Sequence, residues 1–388
     1  MGFIRLQAFR AIGLSGLTIV FSLAIVAPAD ADAARIAEID GRGKVRVQRD
    51  NPSHSLFARE GMELYRGDWI MPDRGVEVTV FCPNGLERSV TAASGLGKVC
   101  PRWRTDRARG SQAAETAGGV DVNIPYLISP RHTLLLDGKP MLRWNAVAGP
   151  KVYTVTVMGP KGVVWEVQTQ ESQVVYGGKP LEPGAAYSWT VKTDGGKSSL
   201  EDRGTDGTVA TALDFRVLRS DEAMAVRAMT TQLGTRKGET TALMVADFYG
   251  DYTVPMKAIA AYGLSQETVE TYSLSGEAIA VLEAQVKAGK GSPILYRKLG
   301  DLYWQTGLIR LAGNAYEKAI AAVSGPADLE DWTLAYYGLG KVNAVMGDRG
   351  AMLLSLRQAR TGFVGLRNWA KVAELKRRIE QLEKGKSR

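Results

Sequence analysis

The hydrophobic period changes once along this chain of 388 residues, and the change limits what the chain can fold into more than any single motif does. Up to about residue 219, apolar residues alternate with polar ones in short runs broken by Gly, Pro and Asp. Val45 and Val47 form one such run; Val76, Val78 and Val80, with Glu77 and Thr79 between them, form another. Then come Met141 to Trp144, the triplets Tyr153, Val155, Val157 and Val163, Trp165, Val167, and finally Tyr187, Trp189, Val191. A period of two puts one set of side chains on one face of a strand, so each run predicts a strand with one buried face. Even spacing of the later runs, with turn residues between them, predicts a β-sandwich. From Ser220 onward Ala, Leu, Glu and Lys dominate, the period becomes helical, and Gly and Pro fall largely at the joints, which predicts helical hairpins. The expected fold is multidomain: an all-β N-terminal half followed by an all-α solenoid.

With 45% of its residues apolar and 23% charged, the chain can bury a sizeable core. Its net charge of +8 is modest for the length, so composition argues for no nucleic-acid partner. Histidine occurs only as His54 and His132, and cysteine only as Cys82 and Cys100, which excludes multi-His and multi-Cys metal frameworks. Gly95-Leu96-Gly97-Lys98 resembles the end of a phosphate loop but has Ala92 where the first glycine belongs and Val99 where Ser or Thr would meet magnesium. Gly338-Leu339-Gly340-Lys341 fails in the same way at Ala335 and Val342. No HExxH occurs, nor GxSxG beyond the first apolar stretch. No catalytic, cofactor-binding or metal-binding residue is nominated, and the chain is expected not to be an enzyme.

The N-terminus carries Arg5 and Arg10, an apolar stretch from Ala11 to Ala27, then Pro28 and Ala29-Asp30-Ala31-Asp32-Ala33. This is the pattern of a secretory signal peptide, with cleavage after Ala31 or after Ala33 fitting equally well. An uncleaved anchor is the alternative, and only then is the membrane a partner; about 17 apolar residues is the lower edge of a span. Export to an oxidising compartment allows Cys82 and Cys100, 18 positions apart, to pair as a disulfide. The domains expected are a signal peptide over 1–33, a β domain over 34–104, a linker over 105–123, a β-sandwich over 124–219 and helical repeats over 220–385. Lys98, Arg102, Arg104, Arg107 and Arg109 form a basic cluster around the linker, read either as solvated chain or as a contact for an anionic envelope polymer.

Between Pro293 and Pro326, Tyr296, Leu299, Gly300 and Tyr303 are followed by Gly307, then Ala312, Tyr316 and Ala319. This pattern resembles the tetratricopeptide repeat. Small residues at Gly300 and Ala312 would let two antiparallel helices approach, and Gly307 would permit the turn. A second copy forty residues on has Tyr336, Leu339, Gly340, Gly347 and Ala359. It departs from the pattern at Asn343 and Met352, so a more open hairpin is expected there. Ala242 to Tyr262 and Glu277 to Gly289 are read as degenerate repeat helices, and Asn368 to about Lys384 as the closing helix, with Val372, Leu375, Ile379 and Leu382 on its packing face. The resemblance implies a concave groove lined by the first helix of each hairpin, with Arg297, Asp301, Trp304, Tyr337 and Lys341 as candidates for a protein or peptide partner. Two plainer readings stand beside it: Trp304 and Tyr337 as packing between hairpins, and Arg297 with Asp301 as a solvated i,i+4 pair. The Lys/Asn set that holds a terminal carboxylate in some members is not recognisable.

Two further resemblances cover the β half. Gly61 to Ile70, then Gly75, the strand Val76 to Cys82 and the turn Pro83-Asn84-Gly85 resemble a FecR-type domain. Only ten residues precede the apolar stretch, so the sigma-regulating activity of that family is not carried over. Leu134 to Leu218 resembles a fibronectin type III-like sandwich, with Trp144 in the core and Leu181 to Val191 forming a tyrosine corner around Tyr187. Together the resemblances imply an exported, non-enzymatic scaffold of the bacterial cell envelope or periplasm that binds proteins through its solenoid. A membrane-tethered sensory ectodomain and a peptidoglycan- or polysaccharide-binding protein are the alternatives.

Overall fold

The computed structural model describes residues 34–49, 55–83, 85–101, 118–149, 151–203, 214–234, 238–257, 269–289 and 291–384. The expected signal peptide, His54, the four arginines of the basic cluster and most of the expected linker lie outside the described residues.

Eight strands make the first module: β1 Ala34–Asp40, β2 Val45–Gln48, β3 Ser55–Phe57, β4 Glu63–Leu64, β5 Trp69–Pro72, β6 Glu77–Phe81, β7 Glu87–Val90 and β8 Ser94–Gly95. They form two four-stranded sheets, β4-β1-β6-β7 and β3-β2-β5-β8. Val76, Val78 and Val80 are buried together with Val45, Val47, Ile36, Leu64 and Ile70, as the alternation requires. Cys82, just after β6, is bonded to Cys100, just after the one-turn helix α1 (Leu96–Val99), with the Cα atoms 5.6 Å apart.

The second module is a sandwich of β9 Leu127–Ser129, β10 Thr133–Leu135, β11 Met141–Trp144, β12 Tyr153–Gly159, β13 Gly162–Thr169, β14 Gln173–Val175, β15 Ala186–Thr193 and β16 Asp214–Val217. Sheet β14-β11-β9 faces the sheet containing β13-β12-β15-β16-β10, and the pair encloses Trp144, Tyr153, Val155, Val157, Trp189, Val191 and Phe215. The Tyr187 hydroxyl accepts the backbone N–H of Glu182 at 2.8 Å, the corner that the Tyr187 motif implied. In β13 the expected buried face is only partly realised, for Val163 is 62% exposed. β13 is the outermost strand of its sheet, beyond the reach of the narrower sheet opposite.

The remaining chain forms α2 Ser220–Leu233, α3 Glu239–Asp251, α4 Ser275–Lys287, α5 Pro293–Gln305, α6 Ile309–Ala321, α7 Leu329–Val345, α8 Arg349–Gly365 and α9 Trp369–Lys384. One stretch departs from the all-helical expectation. The first degenerate repeat helix ends at Asp251, and an antiparallel hairpin, β17 Thr253–Lys257 and β18 Val269–Ser273, follows it. Pro255 and the β-branched Thr253, Val254, Val269 and Thr271 disfavour continued helix. β18 also pairs in parallel with β10, Thr133 opposite Ser273, which extends the sandwich to the seven-stranded order β13-β12-β15-β16-β10-β18-β17. The sandwich and the helices therefore share backbone hydrogen bonding.

Arg131, 2% exposed, fastens the same junction. Its guanidinium donates to Asp202 at 3.1 Å, to the Leu127 carbonyl at 3.1 Å and to the Thr306 carbonyl, at the turn between α5 and α6, at 2.9 Å. Burial pulls this arginine below its ordinary pKa, with Asp202 opposing.

The hairpins close as the motif spacing predicts. Gly307 takes φ +72° in the turn between α5 and α6, and Gly347 takes φ +73° between α7 and α8. A Cβ at Gly300 would come within 2.7 Å of the Tyr316 ring, and one at Gly338 would overlap the same ring from the other side. Glycine at both positions lets Tyr316 sit between two hairpins. The second hairpin is not more open: Met352 is buried, and Asn343 donates to Ser355 at 3.2 Å across the pair. Leu375 and Ile379 of α9 are buried against it, closing the stack.

Candidate interaction cleft

The first helix of each hairpin, α3, α5, α7 and then α9, contributes to one face of the stack. The first β module sits on that face through buried charge. Arg35 at the start of β1 is 0% exposed and reaches Asp247 of α3 at 2.6 Å and Glu63 of β4 at 3.0 Å. It also donates to the carbonyl of Gly61, whose φ of +80° suits glycine. Glu63 accepts from Arg297 of α5 at 2.9 Å, and Lys298 pairs with Asp247 at 2.6 Å. Arg297 goes on to Asp331 at 2.7 Å and Asp301 at 2.6 Å, and Asp301 accepts the Tyr316 hydroxyl at 2.8 Å. At the rim Arg59 pairs with Asp331, while Arg49 pairs with Asp68 and, at 2.6 Å, with Glu330.

These groups keep their charge only through one another. Burial would raise the Glu63 carboxyl, but Arg297, Lys298 and Arg35 outweigh it and hold the group well below the ordinary carboxylate range. Asp247 behaves likewise, with burial overcome by Arg35 and Lys298. At Glu330 burial prevails over Arg49, and its carboxyl lies above the ordinary value.

Beyond this seat the face stays open. A cleft of about 550 Å³ lies between the β module, which contributes Arg49, Leu56 and Tyr65, and the last hairpins, which contribute Leu334, Tyr337, Phe363 and Lys371. A smaller cavity of about 210 Å³ adjoins it and shares Leu56, Tyr65, Glu330 and Leu334. Of the lining residues, Tyr337 has Lys371 at 5.1 Å from its ring centre and, from behind the lining, Lys341 at 5.4 Å, which also lies 5.1 Å from the centre of the Trp304 ring. Such cation–ring contacts hold the ammonium groups over aromatic faces without neutralising them.

The five groove candidates thus fall into two groups. Arg297 and Asp301 form their expected pair, but Arg297 is 4% exposed and held by Glu63 of the β module, so it is not a solvated pair. Trp304, Tyr337 and Lys341 come together along the open part of the face. Sequence reasoning missed Arg49, Leu56, Tyr65, Phe363 and Lys371. Tyr65 and Glu63 lie inside the motif Gly61 to Ile70, which marks a fold and names no facing surface. Among the described residues no group of three or more His, Cys, Asp or Glu is placed to hold a metal ion, and no helix is long and apolar enough to cross a membrane.

What the geometry defines is a three-part molecule in which one β module is seated on the face of a stack of helical hairpins and a second is continuous with it through a shared sheet. No protein-family model matches the chain, and no curated protein matches it. Among solved structures, one described as the crystal structure of MamA protein is similar over 43% of this chain and 84% of its own, at 19% identity and a TM-score of 0.26. At that score the likeness carries no argument about this chain.

Proposed function

We propose that the chain is an exported, non-enzymatic scaffold of the cell envelope that binds a protein partner on the open part of its helical face. One observation carries the reading: Tyr337 and Lys371 line a cleft of about 550 Å³ on the face that the hairpins present, and Lys341 bridges from the Tyr337 ring to that of Trp304 beside it. Half-buried aromatic and cationic side chains at a groove are what partner recognition uses, because they bury area while keeping directional contacts. The disulfide between Cys82 and Cys100 supports export, since such a bond persists in an oxidising compartment. The motifs of the first module support a FecR-like domain that serves here as a structural companion of the solenoid.

Affinity capture from the native envelope fraction tests this reading, with the full chain beside Trp304→Ala/Tyr337→Ala and with the bait's N-terminus read by mass spectrometry. A partner lost in the double variant, with a bait that begins at Asp32 or Ala34, is the expected result. Undiminished capture would remove the cleft from consideration, and a bait that begins at Met1 would turn the reading toward a tethered ectodomain.

A further inference from the structure

We infer that the first β module is a detachable cover on the helical face: it separates from the helices as an intact unit and, in separating, uncovers Asp247, Arg297, Lys298 and Asp331. This rests on the scaffold reading and adds the regulation of the same face, since the module closes the part of the groove around Arg297.

The two β modules are attached in different ways. The second is continuous with the helices through the backbone, for β18 pairs with β10 and the N–H of Gly276, at the start of α4, donates to Thr133 at 3.0 Å. The two sheets of the first module contain β1 to β8 alone, so among the described residues no strand pairing ties that module to the rest. Its core is likewise its own: Ile36, Val47, Leu64, Ile70, Val78 and Leu96 are buried among residues of the module, and the disulfide closes its last loop. The module lends Ala37 and Phe81 to the helical core and packs Leu56 against the last hairpins. The hydrogen bonds across the seat join ionised side chains: Arg35 to Asp247, Arg297 to Glu63, Arg59 to Asp331 and Arg49 to Glu330.

A seat built this way parts as a whole more readily than it frays. Charges taken out of water are offset only when every partner is in place, so the complete network adds little net stability, whereas stranding one member is costly. Opening returns all of them to water at once. The faces that part are charged and stay soluble when apart. Across the seat the module brings three arginines and one glutamate, and the helical side brings four carboxylates, one arginine and one lysine. The module side is thus rich in cations and the helical side rich in acids, so the attraction between them weakens as salt rises.

Fluorescence energy transfer in the full chain, with the native disulfide oxidised, provides the test. One labelled pair, Arg88→Cys on β7 and Leu354→Cys on α8, spans the seat; a control pair, Val163→Cys on β13 and Leu354→Cys, spans the continuous junction, all at exposed positions. As salt rises from about 0.05 M to about 1 M, transfer across the seat should fall in one transition while the control pair and the circular dichroism stay unchanged. Arg59→Glu, set against Asp328 and Asp331, should move that transition to about threefold or more lower salt, and Arg59→Lys should leave it near its place. Transfer that holds until the circular dichroism is lost, or that falls together with the control, overturns the detachable cover. A transition that Arg59→Glu does not move overturns the ionic hold. Affinity capture at low salt reads the regulation: Arg59→Glu, whose site lies outside the lining of the larger cleft, should hold severalfold more partner than the unaltered chain, and equal capture overturns that role. Capture of no protein by either chain removes the scaffold reading and the regulation with it, while the transfer measurement still decides whether the cover opens.

Discussion

Arg35, Glu63, Asp247, Arg297 and Lys298 are five charges held away from water, each tolerable because the others are within reach. Removing one member leaves its partners buried and uncompensated, which costs more than the intact network contributes. Arg35→Met should therefore lower stability by about 3–5 kcal/mol in urea unfolding, far more than a change at a surface arginine. The same residues set an acid limit. Glu63 and Asp247 titrate lower in the folded protein than in the unfolded chain, so the folded state binds fewer protons across that interval. Their contribution is complete above the unfolded values, roughly pH 4, and is lost as pH falls through the folded ones. A Glu63→Gln variant should show a shallower loss of stability between about pH 4 and pH 2 than the unaltered chain, measured by denaturant midpoints along the pH series. Identical slopes would place the acid sensitivity elsewhere.

At the scale of elements, the strands and helices follow rules that act over a few residues. Alternation located β2, β6, β11, β12 and β15, and the small-residue and glycine spacing located α5 to α8 and their turns. Where a neighbour decides, the local signal misleads. β13 carries the pattern of a half-buried strand but ends as an exposed edge, and the segment after α3 becomes a hairpin because β10 offers it a partner. The covalent element of the first module is easier to read, since a chain with two cysteines has one intramolecular choice. Replacing Cys82 and Cys100 by alanine should destabilise the module by about 3 kcal/mol in the chain-entropy picture, seen as a lower denaturant midpoint. A midpoint that equals that of the reduced unaltered chain would tie the effect to the bond rather than to the side chains.

For the whole molecule, the first β module and the helices complete one another. Ala37 and Phe81 of the module join the core that contains Met229 and Leu243 of α2 and α3, beside the charge network. A chain that begins at Ser220 loses Arg35 and Glu63 and leaves Arg297, Lys298 and Asp247 short of partners. Such a fragment should melt well below the full chain, and calorimetry of the two checks it; equal melting temperatures would mean that the seat contributes nothing. The sequence alone determined a β half followed by packed helical hairpins, and the disulfide pair, because periodicity, glycine geometry and cysteine count act locally along the chain. Only the tertiary structure decided that Glu63 would meet Arg297 across 234 positions, that the expected groove is occupied at Arg297 by the chain's own β module, and that Arg49 and Tyr65 would line one cleft with Tyr337 and Lys371. An ion pair between distant positions leaves no periodic trace, since its energy depends on burial and on partners that the fold alone brings together.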